Sequence, residues 1–146
     1  MKFKCILVPV SGAKVDEETV RFACDLARRN KAKVYVAYVI EIDRTLPIDA
    51  EIESEIRKGE EILNRAEDIA EKAGWEVETD LLQARESGPA LIEEAVECGA
   101  DLIIIGAVYQ TKFGEFSLGE TIPYVLKHTP CRVMLWWEPL KEEVAE

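Results

Sequence analysis

The residues of this chain that could bind an anion lie in and around one polar loop. Gly106 follows the apolar run 102–105, and Gly119 and Glu120 stand where the next helix is predicted to begin. Glycine gives the backbone freedom for a sharp exit from a strand, and the N–H groups and dipole of a helix N-terminus favour an anion such as phosphate. Residues 107–118 show no clear helix or strand pattern, and loops of that length are usually functional or disordered. The loop is therefore a candidate phosphate site.

No set of residues indicates catalysis or metal binding. His128 is the one histidine, and it has no evident nucleophile or orienting acid beside it in the sequence pattern. The cysteines Cys5, Cys24, Cys98 and Cys131 show no C-x-x-C spacing and no paired histidine, so a metal site is not predicted. We interpret them as reduced core residues and expect no catalytic residue.

Composition and charge narrow the class of protein. A chain of 146 residues falls in the range of a single domain, which we predict to span 1–138, with an acidic tail at 139–146. The net charge of −11 argues against nucleic acid as a partner. No run approaches the ~18 apolar residues that span a bilayer, and strand pattern begins almost at Met1, which leaves no room for a signal peptide. We therefore expect a cytoplasmic protein without membrane insertion.

The elements that must position the loop alternate between strand and helix. The predicted strands are Lys4–Val10, Lys33–Ile40, Trp75–Leu82, Leu102–Ile105 and Cys131–Trp136. Between them lie predicted helices at 16–30, 50–73, 90–98 and from about 119 to 128, and the Ser-Gly-Pro sequence at 87–89 gives the start of the third helix. This alternation indicates an α/β fold with a parallel sheet and helices on both faces. The charged third strand suits a sheet edge.

Several of these residues have a second, purely structural interpretation. Asp16 is predicted to cap the first helix, and Glu120 could simply stabilise its own helix. Gly106 could be required by a turn of the backbone as easily as by contact with a ligand. The aromatic residues of the loop, such as Tyr109, could stack on a base, although packing or a partner contact is favoured. Of the adjacent Trp136 and Trp137, we expect one in the core and one at an interface.

The residues at both ends of the chain resemble those of the universal stress protein family. The segments that carry the resemblance are 6–10, 99–106, 118–119 and 125–133, and it extends over essentially the full length. It implies a nucleotide-binding, Rossmann-like fold, an open five-stranded parallel sheet in the order 3-2-1-4-5. In that order the chain reverses direction between strands one and four, and ligands bind at such switch points. The turn 9–13 would then lie beside 106–120.

The resemblance also implies which residues would line a nucleotide cleft. ATP-binding members carry G-x2-G-x9-G followed by Ser or Thr. Gly106 and Gly119 match the first and third glycines, whereas Tyr109 replaces the second and Glu120 the Ser or Thr. An Asp that contacts the nucleoside is replaced by Ser11. The implied cleft residues are Pro9, Ser11, Gly12, Val39, Gly106, Tyr109, Gly119, Glu120 and Thr121.

The charge of Glu120 bears on which ligand this cleft would accept. Two like charges ~4 Å apart cost about 4 kcal/mol at an effective dielectric of 20, whereas the helix dipole contributes only ~0.3–1 kcal/mol. We therefore expect AMP, another adenine compound or no nucleotide, rather than ATP, and we predict no obligatory cofactor.

The resemblance implies a non-catalytic small-molecule-sensing or adaptor protein of the stress response with a degenerate ATP motif. Two alternatives remain open at this point. One is a cytosolic regulatory domain of an amino-acid or ion transporter, and the other is an ATP-binding or slow ATPase member. The resemblance also implies a homodimer formed through the last strand, by Arg132, Val133, Met134, Leu135 and Trp136.

Overall fold

The computed structural model describes residues 2–107, 110–112 and 115–138, with only the backbone described at 110–112 and 115–117. In chain order the strands are β1 (Cys5–Pro9), β2 (Lys33–Glu41), β3 (Glu78–Ala84), β4 (Leu102–Gly106), β5 (Gln110–Lys112), β6 (Glu115–Ser117) and β7 (Arg132–Trp136). Five of them form a parallel sheet in the order β3-β2-β1-β4-β7. The predicted fold class and strand order are therefore confirmed.

Four helices cover the two faces of this sheet: α1 (Val15–Asn30), α2 (Glu53–Lys72), α3 (Ser87–Glu97) and α4 (Thr121–His128). Alternate residues of a strand point to opposite faces. Ile6 and Val8 of β1 accordingly pack in the core beneath α1 and α2, whereas Leu7 packs in the core beneath α3 and α4. Burial on both faces explains why β1 and β4 read as uninterrupted apolar runs.

The two central strands of the sheet diverge after a short ladder. β1 pairs with β2 at five positions, but with β4 at only two, Ile6 with Leu102 and Leu7 with Ile103. The carboxyl ends of β1 and β4 therefore separate, and a gap opens between them at the point where the sheet order reverses.

The structure corrects the predicted role of Asp16. α1 begins at Val15 with Lys14 in the cap position, so Asp16 lies inside the first turn. Its carboxylate accepts hydrogen bonds from the backbone N–H groups of Ser11 and Gly12 in the preceding loop. The carboxylate of Asp16 therefore holds the loop after β1 against α1 by hydrogen bonds, and it does not cap the helix.

The loop 107–118 also differs from the prediction, because it contains the antiparallel pair β5 and β6. Each of these strands has three residues, too few for a period of two to stand out in the sequence. Tyr109 and the predicted tail 139–146 lie outside the described residues.

Gly106 is explained by packing, not by a special backbone angle. Its φ is not among the positive values that occur at Gly12 and Gly119. A Cβ atom at Gly106 would instead lie 2.8 Å from both γ-methyl groups of Val15 and 3.2 Å from the γ-methyl group of Thr19. The glycine at the end of β4 therefore allows α1 to approach the sheet closely.

The cysteines and tryptophans follow the predictions in part. All four cysteines are free. Cys5 and Cys24 are buried, but Cys98 and Cys131 are only half-buried. Trp136 packs against Phe22 with ring centroids 5.4 Å apart, while Trp137 is 45% exposed. Across the described segments, no helix is long and apolar enough to cross a bilayer.

Candidate functional site

A cleft of about 740 Å³ opens at the carboxyl ends of β1, β2 and β4. It lies over the divergence of β1 and β4, with the first turns of α3 and α4 on its rim. We call it the central cleft. Its position agrees with the rule that open α/β sheets bind ligands where the strand order reverses.

The structure brings most of the predicted site residues into the central cleft. Gly12 does not line the cleft. Its N–H group donates a hydrogen bond to the carboxylate of Asp16, which does line it. Tyr109 lies outside the described residues. The predicted residues that line the cleft are Pro9, Ser11, Val39, Gly106, Gly119, Glu120 and Thr121.

The loop between β1 and α1 presents its backbone N–H groups to Asp16. The Ser11 nitrogen lies 3.2 Å from each carboxylate oxygen of Asp16, and the Gly12 nitrogen lies 2.6 Å from Oδ2. Burial raises the pKa of the Asp16 carboxyl group, while these two hydrogen bonds and the charge of Arg65 oppose that rise. Asp16 also lines the central cleft, a role that the predicted capping position did not suggest.

A second carboxylate occupies the N-terminus of α3. The Ser87 N–H group donates to Oε2 of Glu41 at 3.0 Å, so a side chain from the end of β2 satisfies a free donor of the helix. The cap residue Glu86 makes no side-chain capping bond, and its carboxylate lies 3.9 Å from Arg44. Glu41, Glu86 and Ser87 all line the cleft.

The start of this helix was predicted at the Ser-Gly-Pro sequence 87–89, but its first turn was not predicted to be part of the site. In the structure α3 begins at Ser87, which brings its first turn to the cleft. A Cβ atom at Gly88 would lie 2.7–2.9 Å from Tyr124 of α4, so the two helices meet closely at the rim. The Ser-Gly-Pro sequence at 87–89 predicts the helix start correctly, but it carries no signal that this turn meets the carboxyl end of β2.

The N-terminus of α4 forms the opposite rim. Glu120 occupies the cap position, is exposed, and makes no side-chain capping bond. Its backbone carbonyl accepts the N–H of Tyr124 at 3.3 Å, and Gly119 before it has φ +73°. The carboxylate therefore lies at the helix N-terminus without a hydrogen bond to its own first turn.

The central cleft is acidic. Its lining includes the carboxylates of Asp16, Glu41, Glu86 and Glu120, and none of the described lining residues is Lys or Arg. Phosphate sites generally use such cations together with free N–H groups. Here two of the N–H positions, after β1 and at α3, are already filled by carboxylates of the chain.

The described residues contain no cluster of three or more His, Cys, Asp or Glu side chains suited to a metal ion. His128 is outside the cleft lining. Its ring stacks on Tyr124 with centroids 4.1 Å apart, and Nδ1 lies 3.0 Å from the Tyr124 carbonyl oxygen. This histidine is placed to pack on α4, not to transfer protons in the cleft.

The predicted dimer residues lie on β7, at an edge of the sheet. In the described part of the chain β7 pairs with β4 alone. Arg132, Met134 and Leu135 are exposed, whereas Val133 and Trp136 are half-buried. Met134 and Leu135 are 40% and 38% exposed, so apolar side chains flank an open strand edge.

Comparison with known proteins supplies the family context. The model of the universal stress protein family matches residues 2–136. A universal stress protein of Methanocaldococcus jannaschii is 30% identical over 146 residues, covering 96% of this chain and 85% of that protein.

Two solved structures share the fold over nearly the whole chain. The universal stress protein of Archaeoglobus fulgidus has a TM-score of 0.76 and 27% identity, covering 90% of this chain and 97% of that one. A structure of the universal stress protein from the same organism in complex with dAMP has a TM-score of 0.73 and 25% identity, covering 92% and 98%.

Proposed function

The chain belongs to the universal stress protein family, and we propose that it is a non-catalytic sensor whose central cleft binds an adenine nucleotide with one phosphate in preference to ATP. The observation that carries the proposal is the cleft itself, which lies at the switch point of the sheet and has four carboxylates and no described Lys or Arg in its lining. The complex of the Archaeoglobus fulgidus protein with dAMP supports a monophosphate as the ligand.

The apolar part of the cleft suits a base. Val39 near the end of β2 and Leu91 in the second turn of α3 line it, and an aromatic base would bury against them. The acidic part suits hydroxyl and amino donors, because a carboxylate accepts hydrogen bonds only. A triphosphate would bring several negative charges beside Glu120, whose repulsion costs on the order of 1 kcal/mol per close pair even at a water-like dielectric.

The absence of a catalytic role is part of the proposal. Hydrolysis of ATP requires positioning of a water and stabilisation of charge on the transferred phosphoryl group. The described lining offers carboxylates and no cation, which is the reverse of that requirement. The interpretation as a transporter's regulatory domain gains no support from the relatives reported above, whose names describe universal stress proteins.

The second part of the proposal concerns the partner. We infer that a second copy of this chain pairs along β7, because an open strand edge offers unpaired backbone groups and exposed Met134 and Leu135 flank it. A structural change at the cleft could then reach the second copy through adjacent strands. Gly106, which lines the cleft, is the register partner of Trp136 on β7.

Calorimetric titration of nucleotide-stripped protein with AMP, ADP and ATP tests the ligand. We expect AMP to bind more tightly than ATP by about tenfold or more, which is 1.4 kcal/mol. Tighter binding of ATP, or phosphate release from it, would overturn the proposal. The control is Gly88→Leu, which leaves the charge near the cleft unchanged. We expect it to lose AMP binding, because a side chain there meets Tyr124 at the rim, and circular dichroism checks that it is folded.

A further inference from the structure

Two cysteines that are far apart in the chain lie next to each other at the amino-terminal edge of the sheet. Cys5 is the first residue of β1, and Cys98 is the C-terminal cap residue of α3. The Cys5 thiol donates to the backbone carbonyl oxygen of Cys98, with an Sγ···O distance of 3.3 Å, across 93 positions of the chain. A hydrogen bond between the two thiols also contributes to the pKa of each. We call these two residues the thiol pair.

Backbone hydrogen bonds hold the thiol pair together. The Asp101 carboxylate accepts the N–H groups of Lys4 at 2.8 Å and of Cys5 at 3.3 Å. The N–H group of Asp101 donates to the carbonyl oxygen of Cys5 at 2.9 Å. On the other side, the N–H group of Cys98 donates to the carbonyl oxygen of Glu94 inside α3 at 2.9 Å. The end of α3 is therefore held beside the start of β1, and the two thiols stay adjacent in the folded chain.

The surroundings of the two thiols indicate which one reacts first. Cys5 is only 7% exposed, and burial, followed by the interaction with Cys98, raises the pKa of its thiol to about 12. Cys98 is half-buried. Burial raises its pKa as well, but the hydrogen bond from the Cys5 thiol opposes that rise because it stabilises the thiolate. Since the thiolate is the nucleophile, Cys98 is the thiol that attacks an oxidant, and Cys5 is placed to react with the product.

We propose that Cys5 and Cys98 form a redox site, which hydrogen peroxide converts to an intramolecular disulfide and a dithiol reduces again. In the first step the Cys98 sulfur attacks one peroxide oxygen and the O–O bond breaks. This step leaves a sulfenic acid on Cys98, and the other oxygen leaves as water with the thiol proton. In the second step the Cys5 sulfur gives up its proton and attacks the Cys98 sulfur, and the sulfenic oxygen leaves as a second water. Two thiols thereby lose two electrons to one peroxide.

The redox site is separate from the central cleft, and the proposal does not depend on the ligand bound there. The disulfide would nevertheless join two elements that frame the cleft, because Pro9 at the end of β1 and Ser87 at the start of α3 both line it. The bond would also close a loop across 93 positions, and long loops give the largest stabilisation when they are closed. We therefore expect oxidation to raise the melting temperature by about 5–15 °C.

Treatment of the fully reduced protein with hydrogen peroxide is the first test. We expect the number of thiols that react after denaturation to fall from four to two, since all four cysteines are free beforehand. Peptide mapping under non-reducing conditions should identify a bond between Cys5 and Cys98 within one chain. Dithiothreitol should restore the four thiols and the original melting temperature. If the chain keeps four thiols, or if the bond maps to another pair of cysteines, the proposal is wrong.

Substitutions test whether the effect belongs to this pair. Cys98→Ser removes one sulfur of the pair, and we expect peroxide to leave its melting temperature unchanged. The matched control is Cys131→Ser, because Cys131 is also half-buried and burial also raises the pKa of its thiol. In that variant the rise in melting temperature should remain. Circular dichroism of the reduced proteins checks that both variants are folded, and equal responses of the two to peroxide would contradict the assignment.

The order of reaction is measured on the wild type and needs no substitution. Limited treatment of the folded, reduced protein with iodoacetamide should modify Cys98 before Cys5, because Cys98 is the more exposed of the two. Mass spectrometry of the digested protein measures both rates. Faster modification of Cys5 would overturn the proposed mechanism, since Cys98 would then not be the attacking thiol.

Discussion

The carboxyl group of Glu94 on α3 lies beside the carboxyl group of Asp80 on β3, where the two are placed for a hydrogen bond to each other. Two carboxyl groups form such a bond only when one of them carries a proton. Glu94 is only 8% exposed, and burial, followed by the neighbouring charge of Asp80, raises the pKa of Glu94 to about 7. Glu93 and Glu97 on the same helix add to this rise. The contact between α3 and the edge strand thus holds a proton near neutral pH.

This pair predicts that stability falls as pH rises. The folded-state pKa of Glu94 lies above its ordinary value of 4.5, so between these two values the folded chain binds more protons than the unfolded chain and loses stability as pH increases. Glu94→Gln should remove this dependence and stabilise the protein at about pH 8 by on the order of 1–3 kcal/mol. Urea unfolding at several pH values measures it. The exposed Glu60→Gln serves as control, and equal pH profiles for Glu94→Gln and the wild type would contradict the assignment.

The close approach of Gly106 to Val15 predicts a strong effect of one methyl group. Gly106→Ala places a Cβ atom 2.8 Å from both γ-methyl groups of Val15, and overpacking of this kind costs about 1–3 kcal/mol. Val15→Ala removes those methyl groups and should restore part of the loss in the double variant. Equilibrium unfolding of all four proteins gives the coupling free energy. Additive effects would mean that α1 moves aside freely.

The exposed carboxylate of Glu120 predicts a change in ligand preference. Glu120→Gln removes one negative charge at the N-terminus of α4, and ATP affinity should rise about three- to tenfold because a close pair of exposed charges is worth on the order of 1 kcal/mol. AMP affinity should change less, and the gain should shrink at high salt. Calorimetry measures both ligands. Glu71→Gln, exposed in the last turn of α2, is the control; an equal gain there would refute a local effect.

The edge position of β7 predicts that a single charge disrupts self-association. Leu135→Asp places a carboxylate among exposed apolar side chains, and a symmetric interface would bury one such charge from each copy. We expect the variant to be monomeric by sedimentation equilibrium where the wild type is a dimer. Ile48→Asp is the matched control, because Ile48 is 46% exposed but follows β2 far from β7 in the sheet order. A monomeric wild type would overturn the proposed interface.

The central strands could be predicted because a strand that is buried on both faces appears in the sequence as an uninterrupted apolar run. Their order followed from the resemblance to the family. The runs at β1 and β4 have no alternation, and the structure buries them from both sides. Boundaries were less well predicted where tertiary contacts decide them. Trp75 was assigned to the third strand, but its indole N–H donates to the carbonyl of Ala32 at 3.0 Å, and β3 begins only at Glu78.

The candidate cleft was predicted in outline, since the carboxyl ends of β1, β2 and β4 meet at the switch point of the sheet. The internal carboxylates were not. Asp16 looked like a helix cap because aspartate before an apolar helix face usually is one, and only the fold of the preceding loop turns its carboxylate toward Ser11 and Gly12. Glu41 meets Ser87 across 46 positions of the chain, and no local pattern indicates that contact.

The position of β4 beside β1 in the sheet has a consequence for protein synthesis. A growing chain carries Ser11 and Glu41 long before it carries Gly119 and Thr121, so the cleft exists only after the late strands insert beside the early ones. Contacts between residues so distant in the chain form slowly, because closing the long loop between them costs entropy. A molecule held in the cleft therefore stabilises finished copies selectively by mass action, and prematurely terminated copies receive no such protection from degradation.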